Sequence, residues 1–222
     1  MRSQLADFYD TYIHMAVKRG NYEMYKLLVK DMDINKFNDN PSAPLLHTAL
    51  EQKAINEDII TDIIKETHNV DVEDNNGNTV LMIACKNGEI EKVKLLLKNG
   101  CNPNHITKLP KPHHDKDRYW TVTPPTFGMS PLHIAVIKGH TDICKLLIDW
   151  GGDVLSCSRE FSWDSDTMIS GGTRRSKTIL EDIILHKNTE LYMYLDKRGV
   201  MRKCKRETRY GNIELSGLQR MV

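Results

Sequence analysis

One pattern returns five times along the chain, so any fold it adopts has to use the same small unit five times. The unit reads TYIHMAVKRGNYEMYKLLV from residue 11, PLLHTALEQKAINEDIITDII from 44, TVLMIACKNGEIEKVKLLLKNG from 79, SPLHIAVIKGHTDICKLLIDWG from 130 and TILEDIILHKNTELYMYLDKRG from 178. Thr11 to Leu27, Thr79 to Leu95, Ser130 to Leu146 and Thr178 to Tyr194 are each sixteen residues, and Pro44 to Ile63 is three longer. Self-similarity at a fixed offset marks one supersecondary element used repeatedly. Within a unit, Leu81, Ala84 and Cys85, then Ile90, Val93, Leu96 and Leu97, follow three-to-four spacing, which predicts two short helices. Gly88, like Gly20 and Gly139, punctuates the pair. Two helices of this length cannot bury their apolar faces alone, so neighbours must stack, and Ala16, Ala49, Ala84 and Ala135 are small where backbones approach.

The hexapeptides SPLHIA at 130–135, TYIHMA at 11–16 and PLLHTA at 44–49 resemble the T-P-L-H-x-A signature of the ankyrin repeat family, and the resemblance spans roughly residues 6–205. It implies an all-α solenoid of stacked helix-turn-helix units with long loop insertions. The expected divisions are a cap at 1–10, repeats at 11–43, 44–78, 79–104, 128–155 and 177–201, insertions at 105–127 and 156–176, and a basic tail at 202–222. The resemblance also implies that Thr or Ser opens each first helix and that His ties adjacent turns together. His14, His47 and His133 are therefore joints, and Ser130 is a helix cap rather than a nucleophile. Met82 and Glu181 stand where the third and fifth repeats should carry His, so the fifth should be looser or act as a terminal cap.

The units start 33, 35, 51 and 48 residues apart, so two connections are overlong. Long loops in a repeat array emerge on one face, often the binding face. The first insertion, His105 to Phe127, is basic and aromatic, with Arg118, Tyr119, Trp120 and Phe127; the second, Ser156 to Ser176, carries Phe161 and Trp163 at zero formal charge. Both should leave the same edge and form one composite surface. Exposed Trp, Tyr and Arg dominate interface energetics, although these aromatics could equally fold back and pin the loops. Trp150, at the end of a second helix beside Gly151 and Gly152, is expected to pack.

Other chemistry is thinly supported. His105, His113, His114, Asp115 and Asp117 offer metal-type donors without a regular ligand spacing. GGTRRSKT at 171–178 approaches a phosphate loop, but Ser176 occupies the second glycine position and Thr178 already opens a repeat. Cys85, Cys101, Cys144, Cys157 and Cys204 are odd in number and widely spaced, which predicts reduced thiols and no disulfide framework. No cofactor, no metal and no catalytic role are expected. With a net charge of +1, the surface as a whole is not built to neutralise phosphates, yet Lys197 to Arg209 holds seven basic residues and one acid. That tail could meet an acidic partner, nucleic acid or an import receptor. No apolar run approaches the ~18 residues of a membrane span, so a cytoplasmic protein is expected, with the nucleus left open by the tail.

The resemblance implies recognition of another protein through finger tips and the inward face of the first helices. By position these are Asn75, Asn76, Asn78, Phe127 and Met129 on the fingers, and Lys18, Arg19, Glu51, Gln52, Lys86, Asn87, Ile137, Lys138, Leu185 and His186 on the helices. The stripe is mixed and mildly basic, suited to a protein with acidic and apolar patches. Nucleic-acid or nucleotide binding through the first insertion and tail is one alternative, and an enzyme or metal site on the first insertion is another. The divergent units and their Lys/Asn/Ile flavour also resemble ankyrin proteins of viruses and intracellular bacteria, which implies a mimic that blocks host signalling.

Overall fold

The computed structural model describes residues 12–30, 32–38, 44–51, 56–106, 128–156 and 178–200. Eleven helices follow one another in this region: α1 (12–18), α2 (Tyr22–Val29), α3 (Ile34–Asn38), α4 (Leu45–Leu50), α5 (Glu57–Glu66), α6 (Val80–Asn87), α7 (Ile90–Lys98), α8 (Pro131–Lys138), α9 (Thr141–Asp149), α10 (Ile179–Leu185) and α11 (Thr189–Lys197). Among the described residues there is no β-strand. First helices pack on first helices, α4 on α6, α6 on α8 and α8 on α10, while α7, α9 and α11 form the second layer. The short α3 was not foreseen; the Asp33 carboxylate accepts from the Asn35 amide at 3.1 Å to start it, and Ile34 and Phe37 bury its inner side.

The first helices of the third, fourth and fifth units begin where a hydroxyl precedes them, because free N–H groups at a helix start need an acceptor, whereas α4 follows Pro44 and has no side-chain cap. Thr79 Oγ1 accepts from Met82 N, Ser130 Oγ from His133 N, and Thr178 Oγ1 from Glu181 N. His133 returns the favour in the fourth unit, its Nδ1 accepting from Ser130 N at 3.1 Å. In the fifth unit Glu181 performs the same local task, Oε2 accepting from Thr178 N at 2.9 Å, so the start of α10 is closed without an imidazole. A carboxylate reaching back to the N-cap amide is as good a reciprocal partner as an imidazole.

Glycine in the left-handed region ends α6 and α8, Gly88 at φ 77° and Gly139 at φ 76°. The fifth unit has Lys187 there at φ 53°. A side chain in that region costs roughly 1 kcal/mol relative to glycine. Lys187→Gly is therefore expected to raise the unfolding free energy by about 1 kcal/mol, read as a higher urea midpoint with an unchanged slope; no change would mean that the backbone relaxes out of this conformation.

One hydrophobic core runs the length of the stack, from Ile13 through Leu46, Leu81 and Leu132 to Leu195. Trp150 departs from expectation: it is 49% exposed, because the buried face of α9 is completed by Ile143, Cys144 and Leu147 before the helix ends. Polar rungs hold successive units in register. Asn35 takes the His68 amide and donates to the Glu66 carbonyl; Asp71 takes the Asn102 amide; Asn104 takes the Asp153 amide and donates to the Gly151 carbonyl. A second row joins the helix turns, where Asn56 donates to the Gly20 carbonyl and Asn188 to Thr141 Oγ1.

Candidate functional site

The finger between α5 and α6 is shaped by one carboxylate. Asp74 Oδ1 accepts from the amides of Asn76 and Asn78, both at 2.8 Å, and the Asp74 amide donates to the Asn78 carbonyl at 2.9 Å. Asp and Asn favour such turns because their short side chains bond their own backbone a few residues on. The finger is tied to the preceding unit by His47, whose Nε2 donates to the Asn78 carbonyl at 3.0 Å. A carbonyl only accepts, so Nε2 carries the proton and Nδ1 is a bare acceptor.

Between this finger and helices α4 and α6 lies a groove of about 410 Å³. Pro44, Val80 and Ile83 give it an apolar lining, and Glu51, Asp74 and Glu89 put carboxylates around it. Glu89 is engaged by Lys92, whose Nζ lies 2.9 Å from Oε1 and 2.6 Å from the Leu50 carbonyl. Among the described lining residues there is no Lys or Arg.

The expected partner-binding residues distribute unevenly. Asn76 and Asn87 line the groove, with Asn75 and Glu51. Lys86 is exposed beside them at the end of α6. Asn78 builds the finger, its amide and side chain turned to Asp74 and its carbonyl to His47. On the next unit Ile137 and Lys138 are exposed at the end of α8, and Met129 is half-buried ahead of Ser130. Leu185, at the position of Ile137 one unit on, is 60% exposed against 37% for Ile137. Arg118, Tyr119, Trp120, Phe127, Phe161 and Trp163 lie outside the described residues, as do Gln52, His113, His114, Asp115, Asp117 and the tail from 201. His105 Nε2 pairs with Glu73 Oε1 of the preceding finger at 2.8 Å. No group of three or more metal-type donors occurs among the described residues. Lys86 and Lys138 are exposed at the helix ends, yet the concavity beside Lys86 is rimmed by carboxylates; sequence reasoning did not single out Asp74 or Glu89, and the D-N-N-G turn at 74–77 is a signal for Asp74 alone.

Burial governs the titratable groups of the core. It pushes the Cys101 and Cys144 thiols up to about 12 and the Cys85 thiol higher still, leaving all three protonated and unreactive. It lowers His47, against the opposing pull of the Asn78 carbonyl, Asp74 and Glu51. It lowers His133 to about 4, against the Ser156 carbonyl and Asp153. Because the folded value is depressed, the unfolded chain takes the proton first, so stability is full above pH 6.5 and falls as the pH drops toward 4. His133 alone should remove roughly 2 kcal/mol by pH 5, at about 1.4 kcal/mol per unit. Urea midpoints at pH 7.5 and 5 should differ accordingly, and a His133→Asn chain with an equally steep pH dependence would defeat the assignment.

No helix among the described residues is long and apolar enough to cross a membrane. Residues 46–158 match the family model described as ankyrin repeats in three copies, and residues 9–39 match the single ankyrin repeat. The chain is similar to an ankyrin repeat protein of Acanthamoeba polyphaga mimivirus, 28% identical over 189 residues, which is 84% of this chain and 20% of that protein. It is similar to the human transient receptor potential cation channel subfamily A member 1, 28% identical over 150 residues, 67% of this chain and 12% of the channel. It is also similar to NF-kappa-B inhibitor alpha of Gallus gallus, 31% identical over 107 residues, 46% of this chain and 33% of the inhibitor. The chain thus spans a third or less of each of these relatives.

Proposed function

The chain belongs to the ankyrin repeat family, and from that premise we propose that it is a non-catalytic protein-binding module. It holds a partner protein against its finger tips and the inward ends of its first helices. What carries this reading is an exposed row at equivalent positions of successive first helices: Lys18, Glu51, Lys86, Ile137 and Leu185. Ile137 and Leu185 make one end of this row apolar. Apolar side chains left exposed on adjacent, rigidly stacked helices supply the desolvated anchor around which polar contacts arrange. The insertion aromatics Tyr119, Trp120, Phe127, Phe161 and Trp163, with Arg118, extend the same surface in this proposal.

The finer reading is a viral or bacterial mimic that occupies a host signalling protein. Its support is the likeness to the mimivirus protein and to NF-kappa-B inhibitor alpha. Nucleic acid is the weaker partner class, since the concavity beside the row presents carboxylates, which repel phosphate.

The test is quantitative capture of cell proteins on the immobilised chain, comparing it with Ile137→Glu/Leu185→Glu and with Lys94→Gln on the outer layer. The double variant should lose its specific partners more than tenfold at unchanged helicity, and the outer variant should keep them. Equal recovery by all three would refute the binding face.

A further inference from the structure

We infer that the groove under the second finger is the seat for one arginine side chain of the partner. The inference rests on the reading of this chain as a protein-binding module and names the chemistry that its second and third units select. Three observations converge on it.

The first is electrostatic. The groove of about 410 Å³ is lined by Glu51, Asp74 and Glu89 and by no described cation. Asp74 spends its carboxylate on the finger amides and Glu89 is paired with Lys92, so Glu51 is the acid left over. Glu51 is exposed, and apart from its pull on the His47 ring no ion pair engages it among the described residues.

The second is an orphaned acceptor. His47 lines the same groove, is 7% exposed, and has its Nε2 proton committed to the Asn78 carbonyl. Its Nδ1 has no hydrogen-bond partner among the described residues. The cause is written in the sequence: in the fourth unit a hydroxyl at the helix cap meets the imidazole, Ser130 Oγ lying 2.8 Å from His133 Nδ1, whereas the second unit has Pro44 at that position. Behind the wall therefore lies a buried acceptor without a donor, beside a rim whose Glu51 has no ion-pair partner among the described residues.

The third is shape. A floor of Pro44, Val80 and Ile83 accepts an aliphatic stem, and Asn76 and Asn87 flank the mouth with amide groups. Arginine is the side chain with a methylene stem and a charged fork of donors that accepts nothing, which complements a site whose unpaired ionisable atoms, the Glu51 carboxylate and His47 Nδ1, accept. Phosphate, carboxylate and aromatic ligands each lack one of these matches.

The seat is tested on the full chain by amide shift titration with acetyl-Ala-Ala-Arg-Ala-Ala-amide, its citrulline and lysine counterparts, and the glutamate counterpart. The arginine peptide should move the amides of Asn76, Ile83 and Asn87. Citrulline, isosteric but uncharged, should bind at least tenfold more weakly, lysine should fall between them, and glutamate should leave these amides unmoved. Glu51→Lys should abolish the shifts, and Lys94→Gln should preserve them. Citrulline binding as well as arginine, glutamate moving the same amides, or Glu51→Lys binding unchanged would each overturn the seat. If the arginine peptide moves nothing while Ile137→Glu/Leu185→Glu still loses its captured proteins, the seat is wrong and the binding module stands. If that double variant captures normally, the module reading itself falls, whatever the peptide does.

Discussion

Lys92→Met is expected to lower the unfolding free energy by about 3 kcal/mol, a large loss for a side chain on the second helix of a repeat. Lys92 is 4% exposed, and its ammonium reaches across the unit boundary to the Leu50 carbonyl at 2.6 Å while holding Glu89 at 2.9 Å. Methionine keeps the stem and its packing and removes only the donors. What remains is a buried carbonyl at the end of α4 and a half-buried carboxylate, both deprived of their charged partner. Charge-assisted bonds contribute roughly 1.5–3 kcal/mol, and an orphaned buried acceptor costs on the order of 1–3. The internal control is Lys94, which also pairs with a glutamate three residues back but is half in solvent. Lys94→Met should cost no more than about 0.5 kcal/mol. Urea unfolding of the three chains reads both values, and equal midpoints for the two variants would show that burial of the ammonium contributes nothing.

Gly88→Ala is the second large effect, expected at about 2–3 kcal/mol. Two independent objections meet at this residue. Its φ of 77° is a conformation that L side chains rarely adopt, and a Cβ there would lie 2.7 Å from Cε1 of His140, on the next unit. Gly139 has almost the same φ, 76°, but a Cβ would meet nothing within 4 Å. Gly139→Ala should therefore cost only the backbone strain, about 1 kcal/mol. The excess at Gly88 belongs to the imidazole, so His140→Ala in the Gly88→Ala background should recover it, as a double-mutant cycle would show. Additive losses would mean that the ring swings aside freely.

Much of the fold was legible because its determinants are local. The cap hydroxyls at Thr79, Ser130 and Thr178, the glycines at 88 and 139 and the three-to-four spacing of Leu81, Ala84 and Cys85 act within one helical turn. A position-by-position transfer also placed Asn76, Asn87 and Glu51 on one surface. It could not show that Asp74 would be consumed in building the finger, nor that Glu89 would be drawn under the groove by Lys92. It assigned Glu181 a missing joint, where a carboxylate of suitable reach closes the same helix start. It packed Trp150, because spacing alone does not say where the buried face of a helix stops.

By itself, then, the sequence determined five helix pairs, their caps and their order, since a 3.6-residue period and a capping side chain are readable from neighbours in the chain. Only the tertiary structure decided what the units do to each other: Lys92 bonds a carbonyl 42 residues away, His47 one 31 residues away, and Asn104 an amide 49 residues away. Such pairings depend on how far each unit is displaced and rotated on the last, a quantity set by packing across the whole interface. The carboxylate-rimmed groove exists only after that stacking, when Pro44 in one unit meets the finger of the next.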